Sequence, residues 1–342
     1  MDNNPRKILV IRNDKLGDFM LAWPALSLLK QQYPESEISV LVPEYTRPMA
    51  NLCPWIDNIL IDDQHASMVS DALHLSAIIR KHNFDVSITL FSEFRVALAL
   101  WLARIPIRIS PATKLWQVLY NRTLTQRRSR SEKPEYMYNV DLIKYFIETE
   151  NLIPKKLQTP PFLSFDQDEI NRLKSEFISS LNLVNTSKLV FVHPGSGGSA
   201  NNLSLEQYAS LIQHLRMDID LFFVITAGPD ELDEASALSD LIGDVNHTIF
   251  HSTGGLINFA KHIAFCDLFI SGSTGPLHIA GALNVYTAAF YPTRRSATSL
   301  RWETTNQQDK RLAFSPETSE IKSGMSTINI ESCAEEILNK LI

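Results

Sequence analysis

Cysteine is scarce: Cys53, Cys266 and Cys333 are the only three in 342 residues, odd in number and without C-x-x-C spacing. That usage excludes a disulfide framework or a cysteine-built zinc site and fits a reducing compartment. A basic excess is also missing, because 32 Lys and Arg stand against 38 Asp and Glu for a net charge of −6. Dedicated nucleic-acid binders are normally basic, so no nucleic-acid partner is expected. Long apolar runs are absent too. The run at 8–11 is shorter than the roughly 7–15 residues of a secretory signal core, and that at 96–103 is far short of the roughly 20 of a spanning helix. The expectation is a soluble, cytoplasmic chain, with attachment to a membrane surface left open. What remains is an ordinary globular mixture, 44% hydrophobic and 20% charged, which excludes disordered, collagen-like and coiled-coil chains. At roughly 150 residues per domain, about two domains are expected.

Short apolar runs alternate with longer amphipathic ones. Strands are expected at 7–11, 38–42, 59–61 and 86–90, and helices at 19–32, 68–81 and 95–103. Runs of four to six aliphatic residues bounded by polar turns suit a sheet buried on both faces. Strand–helix alternation implies parallel pairing with right-handed crossovers. The pattern breaks over 121–162, which holds Arg127, Arg128, Arg130, Lys133, Pro134, Pro154, Pro160 and Pro161. Helices are expected at 139–150 and 168–181. Alternation restarts with strands at 189–193, 221–226, 248–251, 268–271 and 287–291. Two similar α/β halves, 1–180 and 181–342, follow. There is no short-period repeat and no low-complexity tract.

In an open parallel sheet, ligands bind beyond the carboxyl ends of the strands. After the first strand comes Arg12-Asn13-Asp14-Lys15-Leu16-Gly17-Asp18, which is neither a dinucleotide fingerprint nor a P-loop. Asp18 has two readings: the N-cap of the next helix, or a general base held at the site. His193-Pro194-Gly195-Ser196-Gly197-Gly198-Ser199-Ala200-Asn201-Asn202 then precedes a helix expected at 204–215. Its backbone N–H groups could surround an anion that the helix dipole favours, or the segment could be a simple turn. A third turn is Ala227-Gly228-Pro229-Asp230-Glu231. A fourth is Ser271-Gly272-Ser273-Thr274-Gly275-Pro276-Leu277-His278. His278 could face a phosphate or be a core histidine with both nitrogens satisfied. Together these turns suggest a nucleoside diphosphate in the second half. No metal constellation is read: Asp218 and Asp220 precede a strand, and Asp62-Asp63 reads as an exposed turn.

These residues resemble glycosyltransferase family 9, whose best-known members are the ADP-heptose:lipopolysaccharide heptosyltransferases. The likeness rests on Ile8 to Arg12 with Leu16-Gly17-Asp18 and Trp23-Pro24-Ala25-Leu26, on His193-Pro194-Gly195-Ser196, and on the run from Ser271 to Ala280, in that order. It implies a GT-B fold, two Rossmann-like domains with parallel sheets facing across a cleft. The acceptor-binding domain would be 1–180, the nucleotide-sugar domain 181–342, and the last helix would pack back on the first domain. It further implies inverting transfer, without metal or other cofactor, of a heptose from an ADP-sugar to an anionic, lipid-linked saccharide of the lipopolysaccharide or lipooligosaccharide core. The work would be done in the cytoplasm or at the cytoplasmic face of the inner membrane. The catalytic aspartate falls on Asp18. Diphosphate contacts fall on Ser196, Gly197, Thr274, Gly275 and His278, and nucleoside contacts on Glu231 and Gly254. Two positions depart from the family pattern: Asn201 replaces a lysine facing the diphosphate, and Ser273 an aspartate before Thr-Gly. Lys15, Arg127, Arg128 and Arg130 are candidates for the acceptor's anionic groups, or members of a solvated basic loop. Alternatives are another nucleotide-sugar enzyme of this fold, an epimerase among them, and an inactive nucleotide-binding module.

Overall fold

A computed structural model describes residues 6–63, 68–183, 188–195, 202–216, 220–316 and 324–341. It divides into two compact units, Met1–Gln158 and Thr159–Ile342. In the first, the elements run β1 (Lys7–Ile11), α1 (Leu16–Met20), α2 (Trp23–Gln32), β2 (Glu37–Val42), α3 (Arg47–Leu52), β3 (Asn58–Ile61), α4 (Met68–His82), β4 (Val86–Thr89), α5 (Phe94–Leu102), β5 (Ile107–Pro111), β6 (Arg122–Leu124) and α6 (Glu135–Thr149). The second runs α7 (Gln167–Ser180), β7 (Lys188–His193), α8 (Leu205–Leu215), β8 (Leu221–Ala227), α9 (Leu232–Ile242), β9 (His247–His251), α10 (Gly255–Ile263), β10 (Leu268–Gly272), α11 (Gly275–Ala282), β11 (Thr287–Phe290), β12 (Arg311–Phe314) and α12 (Ile330–Leu341).

Each unit holds one parallel six-stranded sheet, ordered β3-β2-β1-β4-β5-β6 and β12-β11-β10-β7-β8-β9. Numbered from each unit's own first strand, both orders are 3-2-1-4-5-6, the doubly wound dinucleotide-binding arrangement. In each, the order reverses beside the first strand, between β1 and β4 and between β7 and β10. There the neighbouring connections leave for opposite faces and open a crevice at the carboxyl edge. The strands are aliphatic because they are covered on both sides: β8 is buried at every position. Leu9, Ile11, Leu41 and Leu60 pack under Leu75 and Ile79 of α4 and Val96 and Leu100 of α5. Emptying one such leucine site costs about 2–5 kcal/mol.

Helix ends are set with little glycine. Asn83, Asn151, Asn182 and Asn284, the first or second residue beyond α4, α6, α7 and α11, adopt φ of 53° to 61°. Asparagine tolerates this left-handed geometry, which lets the turn satisfy terminal carbonyls. α8 instead carries a capping box at its start, Ser204 with Gln207.

Several sequence expectations change. The helix expected at 19–32 is two, α1 and α2, separated at Leu21-Ala22, because Pro24 cannot donate within a continuous helix and suits the first turn of a new one. β5, β6 and β12 were not anticipated: Arg108 and Pro111 interrupt the first, and the other two are short edge strands. The units separate at 158/159, whereas composition placed the division near 180. Phe162 and Leu163 donate their backbone N–H groups to the Ala282 carbonyl at 2.8 and 3.0 Å. On α7, Phe177 packs against Phe191 and Phe265. The last helix, expected to return to the first domain, packs within the second unit, where Ile337, Leu338 and Leu341 share a core with Leu211 and Leu215 of α8. Cys53, Cys266 and Cys333 are all buried and free. Burial pushes their thiols well above the usual range.

Candidate active site

At the carboxyl end of β1, Arg12 turns inward until only 3% of it is exposed. Its Nε donates to Asp14 Oδ1 at 2.9 Å and one Nη to Asp18 Oδ1. The other Nη donates to Glu135 Oε1 at 3.1 Å and Asn139 Oδ1 at 3.3 Å. Glu135 opens α6 and also accepts from Arg128 at 2.7 Å. Burial works against the Arg12 charge, but Asp14, Asp18 and Glu135 outweigh it and hold the guanidinium protonated. Burial raises the Asp18 carboxyl above the ordinary aspartate range, Arg12 pulls it down, and Glu135 adds repulsion. Asp14 is raised in the same way, by burial first, against Arg12 and with Asp18 adding to the rise.

The cap reading of Asp18 fails. Lys15 is the N-cap of α1, no side chain caps that helix, and Asp18 lies inside its first turn. Its carboxylate is held by Arg12 instead. Among the acceptor candidates, Lys15, Arg127 and Arg130 are exposed, and Arg130 stands 3.6 Å from Glu132. Arg128 is committed inward, to Glu135 and to Gln126 at 2.9 Å. Asp62 is not in an exposed turn. It is buried at the end of β3, takes two bonds from Arg95 at 2.7 and 2.5 Å, and accepts from Asn13 at 2.6 Å. Breaking one side of such a buried pair costs about 3–5 kcal/mol.

In the second unit, the anion-loop candidates Ser196, Gly197 and Asn201 lie outside the described residues. The loop's entrance is described. Glu231 accepts from the Gly228 N–H at 2.9 Å and lies 3.6 Å from His193 Nε2. A Cβ on Gly195 would meet the Glu231 carboxylate at 2.3–2.6 Å, so that carboxylate rests on bare backbone only glycine can offer. His193 is buried, with Nδ1 3.1 Å from Thr226 Oγ1, and burial lowers its pKa. At the end of β10, a Cβ on Gly272 would meet Asn202 Oδ1 at 2.5 Å. Asn202 also donates to the Pro194 carbonyl at 2.7 Å and accepts from the Tyr208 hydroxyl at 2.6 Å, tying β7, β10 and α8 together.

Thr274 is the N-cap of α11 and Gly275 its first residue; Ser273, half-buried, precedes them. Thr274 Oγ1 is 3.0 Å from Ser271 Oγ. His278 is 3% exposed and burial lowers its pKa to about 4, so its ring is neutral near pH 7. Its Nδ1 is buried with no hydrogen-bond partner among the described residues. A core histidine satisfied at both nitrogens is therefore not what is found. Gly254 caps α10 on an exposed turn beyond β9. Along the carboxyl edge, the turns bearing Gly254, Glu231, Gly195 and Thr274 follow β9, β8, β7 and β10, which are consecutive neighbours.

Sequence reasoning missed Arg12, Glu135, Asn139, His193 and Asn202 as parts of these sites. Arg12, His193 and Asn202 carried a local signal, standing in the turns already read, without a role being given to them; Glu135 and Asn139 lie more than a hundred positions from Arg12. The sequence reading also passed over the i, i+4 pair His247 and His251. The pair lies on strand β9, where four residues span roughly 13 Å, too far for one ion. No group of three His, Cys, Asp or Glu that could hold a metal occurs among the described residues, nor any helix long and apolar enough to cross a membrane.

The model of glycosyltransferase family 9 (heptosyltransferase) matches residues 73–322. A Haemophilus influenzae protein, an inferred glycosyltransferase whose name specifies neither donor nor acceptor, is 44% identical over 332 residues, 97% of this chain and 95% of the relative. The lipooligosaccharide heptosyltransferase 2 of Haemophilus ducreyi is 27% identical over 293 residues, 81% of this chain and 80% of its own. Among solved structures, the E. coli ADP-heptose lipopolysaccharide heptosyltransferase II superposes with a TM-score of 0.76 at 20% identity, covering 98% of each chain. That likeness shows a shared GT-B fold.

Proposed function

The chain belongs to glycosyltransferase family 9 and is a glycosyltransferase, and from that premise we propose that it moves a heptose from an ADP-sugar to a lipopolysaccharide or lipooligosaccharide core acceptor, inverting the anomeric centre without a metal. The observation that carries the reading is the buried Nδ1 of His278 on α11, which has no hydrogen-bond partner among the described residues. A buried polar atom left unbonded costs about 1–3 kcal/mol, which a diphosphate oxygen accepting its N–H would recover. Four turns on neighbouring strands, at about 4.8 Å each, cover roughly 14 Å, room for a base, a ribose and two phosphates in a row. Gly254 and Glu231 would take the nucleoside end, and Ser273, Thr274, Gly275 and His278 the diphosphate, with Ser196, Gly197 and Asn201 from the adjoining loop. The names of the relatives agree, since the E. coli heptosyltransferase uses ADP-heptose.

In the transfer, Asp18 accepts the proton of an acceptor hydroxyl while that oxygen bonds to the anomeric carbon. The bond from that carbon to the diphosphate breaks, and its electron pair leaves with the diphosphate. The charge gained there is met by the dipole and N–H groups at the start of α11, the Thr274 hydroxyl and His278. Asp18 is a better base than a solvated aspartate because burial raises its proton affinity. The exposed cations Lys15, Arg127 and Arg130 would meet the acceptor's anionic groups. On this reading the reaction runs on the cytoplasmic side, with contact at the membrane face through the acceptor.

The test is a thermal-shift and calorimetric comparison of ADP with UDP, GDP and CMP, with and without EDTA. ADP should stabilise the protein by RT ln(1 + [L]/Kd), about 2.7 kcal/mol at a hundredfold excess over Kd, and EDTA should leave the effect intact. Preference for UDP would overturn the donor assignment, and strict dependence on Mg²⁺ the metal-free scheme.

A further inference from the structure

At the amino edge of the first sheet, where α4 and α5 end and the chain enters β5, Arg80, Arg104 and Arg108 line a cavity of about 480 Å³. Trp101, 50% exposed, lines it beside them. The Arg12 network sits at the opposite edge, beyond the carboxyl end of a five-residue strand that rises roughly 3.3 Å per residue. None of the three arginines forms an ion pair among the described residues. Asp85, the acid just before β4 on this edge, accepts the Lys7 N–H at 2.8 Å. Burial lowers the Arg108 pKa, and the group that offsets it is the Tyr120 phenol rather than a carboxylate.

Two of these cations have a structural task. One Nη of Arg80 donates to the Leu102 carbonyl, and Arg108 donates from Nε to the Leu119 carbonyl at 2.9 Å and from one Nη to that of Ile105. Cations suit the carbonyl ends of helices. Those bonds fix both guanidinium planes and leave N–H groups over, since each guanidinium carries five. Arg104 has no such task. Its side chain makes no hydrogen bond among the described residues, and its φ of 61° is left-handed. Four other helices end on asparagine in that conformation, whereas α5 carries an arginine, which tolerates it less. The local rule is broken where it delivers the guanidinium without a partner.

We propose that this cavity binds a phosphate group, carried by a soluble phosphoester or by an anionic lipid headgroup, with Arg104 and the unspent N–H groups of Arg80 and Arg108 around its oxygens. Guanidinium forks match phosphate oxygens, and the anion supplies the counter-charge that no carboxylate provides here. The cavity is larger than a phosphate, so the adjoining part of the ligand enters with it, beside the Trp101 ring. The site is independent of the transfer, because it shares no residue with the Arg12 network or with the turns of the second unit.

The probe is glycerol 3-phosphate, added to the full chain and read by tryptophan fluorescence; the signal missing from Trp101→Phe is that of Trp101, one of five tryptophans. That signal should change and saturate, by more than sodium chloride gives at equal ionic strength. Arg104→Asn places at this helix end the residue that four others use, so the fold should hold. Affinity should fall by about tenfold or more, as for one lost charge-assisted contact. Co-sedimentation with phosphatidylglycerol vesicles, against phosphatidylcholine, separates the sources. Capture by the anionic vesicles that Arg104→Asn abolishes assigns a lipid headgroup; saturation by glycerol 3-phosphate without capture assigns a soluble phosphoester. A response no larger than that to chloride, with no capture, overturns the inference. Binding that leaves Trp101 silent, or that Arg104→Asn retains at wild-type strength, overturns it too. If that variant does not fold, Arg80→Gln is read in its place by the same criteria.

Discussion

The two units share a topology and differ in what each keeps at the point where its strand order reverses. The first packs opposite charges there: Arg12 and Arg128 against Asp14, Asp18 and Glu135, with Arg95 on Asp62 close by in the same sheet. The second packs neutral imidazoles and small residues: His193, His278, Thr274 and the bare backbone of Gly195 and Gly272. In the first site the carboxylates are held by arginine side chains of the same unit. In the second, the buried His278 Nδ1 has no hydrogen-bond partner among the described residues. On the reading proposed above, the same scaffold serves two tasks, holding a base in place and receiving an anion.

The largest effect should come from Asp18→Asn. Asparagine still offers Arg12 an oxygen, and the proposed donor contacts lie in the other unit, so folding and ADP affinity should persist. Transfer should fall at least a hundredfold, about 2.7 kcal/mol of transition-state stabilisation, read by single-turnover transfer from ADP-heptose. Near-normal turnover would reduce the first site to a structural ion network and erase the contrast.

The contrast also predicts opposite responses to pH. Asp14 and Asp18 have raised pKa values, so their contribution to stability is full below the unfolded value and lost as pH rises through the folded one. His193, His262 and His278 have lowered values, so theirs is full above the unfolded value and lost as pH falls. For His278 the window runs from 6.5 down to about 4, and the contribution is roughly 3 kcal/mol. Hydrogen exchange followed by mass spectrometry, with peptides assigned to each unit, should show acid weakening the second unit and leaving the charge network of the first protected. Parallel loss of protection in both would break the comparison.

His278→Ala sharpens it. ADP affinity should fall by about 1–3 kcal/mol, roughly five- to 150-fold, by calorimetry. Because Nδ1 has no hydrogen bond among the described residues, the variant loses packing and no such bond of that atom in the free protein. A large stability loss with unchanged ADP affinity would make His278 a core residue. The smallest effects should separate the arginines of the basic segment. Arg130→Ala should change stability by less than about 0.5 kcal/mol. Arg128→Ala strips a partner from the buried Glu135 and should cost about 1–3 kcal/mol, by urea unfolding.

Much of this was legible in the sequence, and the limits are physical. β1, β2, β7 and β8 are predominantly apolar, β-branched and aromatic runs buried on both faces, as a doubly covered sheet requires. The glycine turns after β7 and β10 could be picked out as candidate anion sites because turn residues act locally. The Arg12 network could not be read, since its carboxylates come from positions 14, 18 and 135, joined only by folding. Asp62 looked like a surface turn for the same reason: its partner Arg95 is 33 residues away. The cap reading of Asp18 fails because α1 starts one turn earlier than its apolar pattern suggests.

The buried cysteines give each unit a clock. Cys53 closes α3 in the first unit, whereas Cys266 and Cys333 belong to the second. The thiolate is the form that reacts, and burial keeps all three as thiols in the folded chain. A small alkylating reagent can therefore mark each one only while its surroundings are open. The rate at which Cys53 is modified, set against the rates at Cys266 and Cys333, times the breathing of one unit against the other without any engineered probe. A cysteine introduced on the surface would react first, so a dye could be attached there with all three native thiols left in place.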